Sequence, residues 1–149
     1  MAGCTFCDIA GGRLDAEIVY EDEAAVAFLD HRPLFPGHVL VSPRQHCETL
    51  PDLPAARLAP LFAAVQLLAR AVERGLGAGG SFVAINNRVS QSVPHLHVHV
   101  VPRTRGDGLR GFFWPRRPYD DGEHAAAVAA RLRAAVAALQ AENEKEGGG

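Results

Sequence analysis

His95, His97 and His99 set three imidazoles two residues apart in His95-Leu96-His97-Val98-His99-Val100-Val101. At period two the rings share one face of an extended strand, and Leu96, Val98 and Val100 share the other. Same-face Cα atoms on a strand lie about 6.5–7 Å apart, so three groups that titrate near neutrality can act on one substrate. A row of imidazoles is costly in a core, because each ring nitrogen needs a partner. Two plainer readings stand beside a catalytic one: a solvent-facing polar row on an amphipathic strand, and a metal-binding His-x-His pair, since imidazole suits zinc. Serine or threonine would serve the first equally well. The chemistry that the spacing favours is one nucleophilic histidine flanked by helpers. A neutral imidazole attacks phosphorus well when its other nitrogen is held as a donor, and the middle residue, His97, is the best shielded and oriented.

The second chemical motif is Cys4-Thr5-Phe6-Cys7 near the N-terminus. A Cys-x-x-Cys can be a redox pair, a disulfide or half of a zinc site. The redox reading expects a strand-to-helix junction in a βαβ unit, which the surrounding pattern lacks. A disulfide is disfavoured without secretion. Zinc requires two more ligands, and Cys47 sits in no second Cys-x-x-Cys, so histidines would have to complete it. Cys47 itself reads as a small buried apolar residue.

With 149 residues the chain fits one domain, 1–149. At 48% hydrophobic and 21% charged it is neither disordered, collagen-like, coiled-coil nor a small disulfide scaffold. No apolar run approaches the ~20 residues of a membrane span, and Met-Ala-Gly-Cys begins no signal peptide. A cytoplasmic location is the expectation. A net charge of −2 gives no reason to expect nucleic acid or an acidic membrane as partner. Lys145 is the single lysine, and the arginine excess is most simply compositional, although the five arginines of residues 103–119 read equally as a phosphate-contacting flap or as an ordinary loop.

The elements that must position these groups follow from periodicity. Ile18–Tyr20 and Ala25–Leu29 read as a hairpin around Glu21-Asp22-Glu23, and residues 30–37 as a Pro/Gly loop. His38–Ser42 and Ser81–Ile85 read as strands, as does His95–Val101. Leu58, Leu61, Phe62, Val65, Leu68 and Val72 form a helical stripe between Asp52, a candidate cap with Pro54 in the first turn, and Gly75, a candidate stop. A second helix is expected over 120–142, opened by Asp120-x-x-Glu123, with Ala125, Val128, Leu132, Val136 and Leu139 as its stripe. Residues 143–149 are expected to fray. Residues 104–119 are irregular and rich in arginine and aromatics. The fold class is α+β, a mainly antiparallel sheet packed with two main helices.

The pattern His-φ-His-φ-His-φ-φ resembles the signature of the histidine triad (HIT) family of nucleotide hydrolases and transferases. Phe6-Cys7-Asp8-Ile9, Val19-Tyr20-Glu21-Asp22, Ala27-Phe28-Leu29-Asp30, Pro36-Gly37-His38, Pro43-Arg44-Gln45-His46 and Gln91-Ser92-Val93 resemble family segments in the same order, from about Cys4 to Arg103. The resemblance implies that His97 attacks the α-phosphate of a nucleotide, that His99 supports phosphate and proton transfers, and that His38 buttresses them. It assigns Asp30 to the ribose hydroxyls, and Asn86 or Asn87, Gln91 and Ser92 to the phosphate and leaving group. Residues 86–91 lack the family's usual glycines and are about two residues shorter. In zinc-bearing relatives the ligands match Cys4, Cys7, His46 and His95, a closed and hence structural Cys₂His₂ site. Trp114 is a candidate to stack on a base or a partner subunit, because family members commonly dimerise. The function implied is hydrolysis of nucleoside monophosphate conjugates, adenosine-containing by default, through a nucleotidyl-histidine. The alternatives are a nucleotidyltransferase or phosphorylase with the same intermediate, and a non-catalytic zinc-bearing nucleotide-binding module.

Overall fold

A computed structural model describes residues 3–110 and 116–148. Its elements run α1 (Thr5–Ala10), β1 (Ile18–Glu21), β2 (Ala25–Leu29), β3 (Val39–Pro43), α2 (Leu58–Leu76), β4 (Gly80–Ala84), β5 (Val98–Arg103) and α3 (Gly122–Gly147). The five strands form one sheet in the order β1-β2-β3-β5-β4, and every neighbouring pair is antiparallel. This is the expected α+β class. The chain falls into two compact units, Met1–Gly108 and Leu109–Gly149.

Strand alternation gives the first unit two apolar layers. Ala25, Ala27, Val39, Val41, Leu96, Val98 and Val100 pack with Leu61, Ala64, Val65, Leu68 and Val72 of α2. Val26, Phe28 and Leu40 pack with Cys4, Phe6, Cys7 and Ile9 of the α1 segment. Central β2 and β3 are therefore buried on both faces. A helix of six residues is too short to persist by itself, and α1 is held by its contacts. Arg44 donates to the Ala10 carbonyl at 2.9 Å and to Glu21 at 2.8 Å, tying the helix end to the β1–β2 hairpin. That hairpin turns on Asp22, whose carboxylate accepts from the amides of Ala24 and Ala25.

Several boundaries differ from expectation. α2 starts at Leu58 rather than after Asp52. Pro60 explains this: a proline inside a helix removes a hydrogen bond and clashes with the preceding turn, whereas in the first turn no amide donor is needed. Residues 50–52 and 55–57 form 3-10 turns instead, and the Asp52 carboxylate accepts from the Thr49 hydroxyl at 2.5 Å. Of the expected stripe, Leu58 and Phe62 stay exposed. α2 passes through Gly75 and stops at Gly77, in the left-handed region at φ 66°. Ala55–Leu76 is, by length and composition, long and apolar enough to cross a membrane, contrary to the reading of the bare sequence; in the fold it lays its inner face on the sheet.

In the second unit α3 is capped by Asp121, not Asp120, through the amide of His124 at 2.7 Å. It stays helical to Gly147, where fraying was expected. Among its described residues none is buried, so Leu132, Val136 and Leu139 are exposed.

Gly37 sits at φ 94° just before His38, and a Cβ there would overlap Leu76 Cδ1. Gly37→Ala is expected to cost about 1–3 kcal/mol, read as a drop of several degrees in the thermal midpoint.

Candidate active site and metal cluster

Residues 95–97 precede the β5 ladder, which begins at Val98 opposite Val41. They were expected inside the strand. Their backbone is held otherwise: the Ser42 hydroxyl donates to the Leu96 carbonyl at 2.8 Å, and the Leu96 amide donates to the Cys47 carbonyl at 2.7 Å. Leu96 is thereby fixed into the α2-side core, and the flanking imidazoles face the α1 side.

Hydrogen-bond accounting assigns each imidazole its proton. His97 Nδ1 lies 2.7 Å from the His95 carbonyl, which can only accept. Nδ1 therefore carries a hydrogen, and in the neutral ring the lone pair lies on Nε2. The Leu34 amide donates to His38 Nδ1 at 3.1 Å. His38 must then carry its proton on Nε2, which donates to His99 Nδ1 at 2.9 Å. Neutral His99 consequently presents an N–H at Nε2. Burial first, then the neighbouring His97 and His38, pushes the His99 pKa down to about 4, so it stays neutral at physiological pH. Burial lowers His38 as well, against the opposing pull of Asp30, whose carboxylate lies 3.7 Å from His38 Nε2. Although Asp30, His38 and His99 offer ligand-type atoms close together, both nitrogens of His38 are committed to this chain.

His97 and His99, with ring centroids 5.0 Å apart, line a cleft of about 760 Å³. Such a volume suits a nucleotide-sized ligand. Asp30 and Ser92 lie on its wall, and Phe6, Ile9, Phe28 and Leu40 supply apolar surface. The structure thus gathers Asp30, His97, His99 and Ser92 around one space, with His38 behind them. It does not bring Asn86, Asn87 or Gln91 to that wall. Asn87 Oδ1 accepts the Leu50 amide at 2.9 Å. Gln91 accepts the Arg88 amide at 2.8 Å and donates to the Glu48 carbonyl at 2.6 Å. These side chains pin the 86–91 loop, where Arg88 and Ser90 adopt positive φ. Asp30 also accepts the Arg32 amide, a turn role beside the cleft-lining one. Arg103, one of the arginines after the triad, pairs with Asp107 at 2.6 and 3.0 Å. Trp114 lies outside the described residues.

The apolar wall was missed in the sequence. Its signal was present: Phe6 stands between two cysteines, and Phe28 precedes Asp30 by two residues, on the same strand face by parity.

Cys4, Cys7, His46 and His95 converge on a second point. Sγ of Cys4 and of Cys7 lie 3.4 and 3.5 Å from His95 Nδ1. His46 Nδ1 is 3.4 Å from Cys7 Sγ and 3.2 Å from His95 Nδ1. A tetrahedral ion with the bond lengths usual for zinc has S···N edges of about 3.6 Å and an N···N edge of about 3.3 Å. The donors fit. His95 Nε2 donates to the Pro43 carbonyl at 2.8 Å, which leaves Nδ1 unprotonated toward the cluster and orients the ring. Burial lowers the His95 pKa, favouring the neutral ligand form, and raises that of the Cys7 thiol; a bound cation would offset the latter.

The sequence matches the family model of the HIT domain over residues 12–106. The chain belongs to the HIT domain family. An uncharacterized HIT-like protein of Methanocaldococcus jannaschii is 40% identical over 107 residues, 70% of this chain and 82% of that protein. A bis(5'-nucleosyl)-tetraphosphatase (asymmetrical) of Schizosaccharomyces pombe is 35% identical over 62% of this chain and 52% of its own length. An adenylylsulfatase of Arabidopsis thaliana is 32% identical over 71% of this chain and 55% of its own. Among solved structures, a Streptococcus mutans protein superposes with a TM-score of 0.83 at 33% identity, covering 91% of this chain and 87% of that one. A zinc-bound histidine triad family protein of Mycobacterium smegmatis gives 0.69 at 40% identity, covering 89% and 97%. The HIT domain thus relates this chain to nucleotide-hydrolysing enzymes, and its Cys/His cluster can hold a metal.

One divalent metal per chain is expected in the purified protein by mass spectrometry. Cys4→Ser should weaken metal binding by more than about 100-fold, beyond the usual effect of losing an outer-shell partner. A metal-free wild type of unchanged stability would contradict the assignment.

Proposed function

We propose that this HIT protein is a nucleotide hydrolase that cleaves at the α-phosphate of nucleoside monophosphate conjugates through a nucleotidyl-His97 intermediate. The conjugate is a nucleoside phosphoramidate or a dinucleoside polyphosphate. The observation that carries the reading is the His97 ring held at Nδ1 by the His95 carbonyl and lining the cleft, an arrangement that leaves the lone pair of the neutral ring on Nε2. Nε2 forms the N–P bond as the bond from phosphorus to the leaving amine or phosphate breaks; the electron pair departs with the leaving group, and an amine takes up a proton from water as it leaves. Water then attacks phosphorus and gives up a proton to solvent, the N–P bond breaks back to His97, and nucleoside monophosphate is released. The Nε2–H of neutral His99 donates to a phosphoryl oxygen, where negative charge grows in the transition state. Asp30 accepts hydrogen bonds from the ribose hydroxyls, and Ser92 lies beside the leaving group. The names of the tetraphosphatase and adenylylsulfatase relatives support this substrate class.

The ion of the Cys₂His₂ cluster is read as zinc. Its donor set and edges suit that metal, and four protein ligands leave no open position, so its part is structural. An adenosine-containing substrate, a homodimer and a cytoplasmic setting rest on the family likeness. A transferase or phosphorylase would share the first half-reaction and differ in the acceptor, which product analysis with and without inorganic phosphate separates.

The direct test is rapid quenching with α-³²P-labelled adenosine phosphoramidate. Label should appear on the wild-type protein at a rate competent for turnover, and His97→Ala should lose more than about a thousand-fold in kcat. Wild-type turnover by His97→Ala would refute the nucleophile. A wild type that binds AMP and turns nothing over would favour the non-catalytic binding module.

A further inference from the structure

The Phe6 ring touches a histidine of each functional cluster described above. It is buried and carried on α1 between the two thiols, Cys4 and Cys7. Its ring centroid lies 5.0 Å from that of His97 with the planes at 87°, and 5.9 Å from that of His95 at 65°. On a further side it meets Phe28 at 5.1 Å and 71°. These are the edge-to-face separations that aromatic rings prefer.

The bond from His97 Nδ1 to the His95 carbonyl fixes one point of the imidazole and leaves a swing about the hydrogen-bond line. Opposing that swing takes a rigid surface set across the ring. His99 stands on one flank at 5.0 Å, and Phe6 supplies the perpendicular wall. Phe6 in turn has little freedom, since Phe28 backs it and Cys4 and Cys7 hold α1 to His46 and His95. A leucine would fill much of the volume but present no flat face.

We propose that Phe6 is a positioning residue for the reaction, holding the His97 ring with its free Nε2 aimed into the cleft and coupling that aim to the Cys/His cluster. The proposal rests on the reading of His97 as nucleophile. The bland account is that Phe6 is only a wall of the cleft and a piece of the α1-side core; that account predicts weaker ligand binding or lower stability, with the tautomer and the intrinsic rate untouched.

The test compares wild type with Phe6→Leu at one fixed pH, after both are shown to carry the same metal content and to bind AMP by calorimetry. The first readout needs no turnover. Imidazole ¹⁵N spectra should show His97 as a single Nδ1–H tautomer in wild type and as a mixture of tautomers in Phe6→Leu. The second is single-turnover formation of the nucleotidyl-histidine, expected to slow at least tenfold while the AMP dissociation constant changes less than threefold. Unchanged ¹⁵N shifts overturn the proposal. So does a loss of AMP affinity that equals the loss of rate, because Phe6 would then act on the ligand rather than on His97. If wild type forms no intermediate at all, the hydrolase reading fails, while the ¹⁵N comparison still decides whether Phe6 sets the ring. A Phe6→Leu protein that does not retain metal is replaced by Phe6→Met, judged by the same two readouts; failure of both variants to retain metal overturns the positioning role in favour of a structural one.

Discussion

The hydrogen bond between His97 Nδ1 and the carbonyl of His95 is the interaction on which the rest of the arrangement depends. A free imidazole exchanges its proton between two nitrogens, and only one of the two tautomers leaves Nε2 free to attack. A carbonyl oxygen 2.7 Å away removes that freedom, because it accepts and cannot donate. The carbonyl must itself be immobile, and most of the first unit serves that end. His95 is anchored at one ring nitrogen to Pro43 and at the other to the thiol and imidazole donors of the cluster. Leu96, the next residue, is locked to β3 by Ser42 and to residue 47 by its amide. The Cys/His cluster, the strand edge and the His97 ring are thus linked through two consecutive peptide units.

A similar economy governs the His38–His99 pair. The direction of the entire chain is set by one backbone amide, that of Leu34, which occupies His38 Nδ1 and forces the remaining hydrogens outward. Burial then lowers both histidines toward neutrality. A charged imidazole at His99 would donate from both nitrogens and lose its acceptor role toward His38. Desolvation and hydrogen-bond polarity therefore act together, and the neutral N–H at the cleft follows from both.

What could be read from the sequence divides along the same physical line. β2 was found to the residue, since a short continuous apolar run between Glu23 and Asp30 marks a central strand buried on both faces. The four donors of the cluster and the cleft residues Asp30, Ser92, His97 and His99 were named from motif likeness, and spacing supported the triad. The errors fall where a residue's partner is distant or is backbone. α1 has six residues and no repeat to betray it. The phosphate role that motif likeness gives Asn87 and Gln91 stands as an expectation; in the fold their side chains bond to residues 48, 50 and 88 and pin a loop with two positive-φ residues. The true start of α2 was written in Pro60, a local signal that the apolar stripe outweighed.

The shortened loop over residues 86–91 has a consequence for how the cleft is built. Left-handed backbone at Arg88 and Ser90 carries a cost of about 1–3 kcal/mol each in general, and here it persists because side chains over-determine it. Arg88 reaches Asp52 at 3.4 Å, and Asp52 is joined to Thr49. The segment 48–52 that receives these bonds follows His46 and Cys47 directly, so the loop is braced against the chain that leaves the metal cluster. Gln91 closes the brace immediately before Ser92, and Ser92 lines the cleft. Ser92, His97 and His99 line the cleft, and Asn87 and Gln91 brace the loop that leads to it.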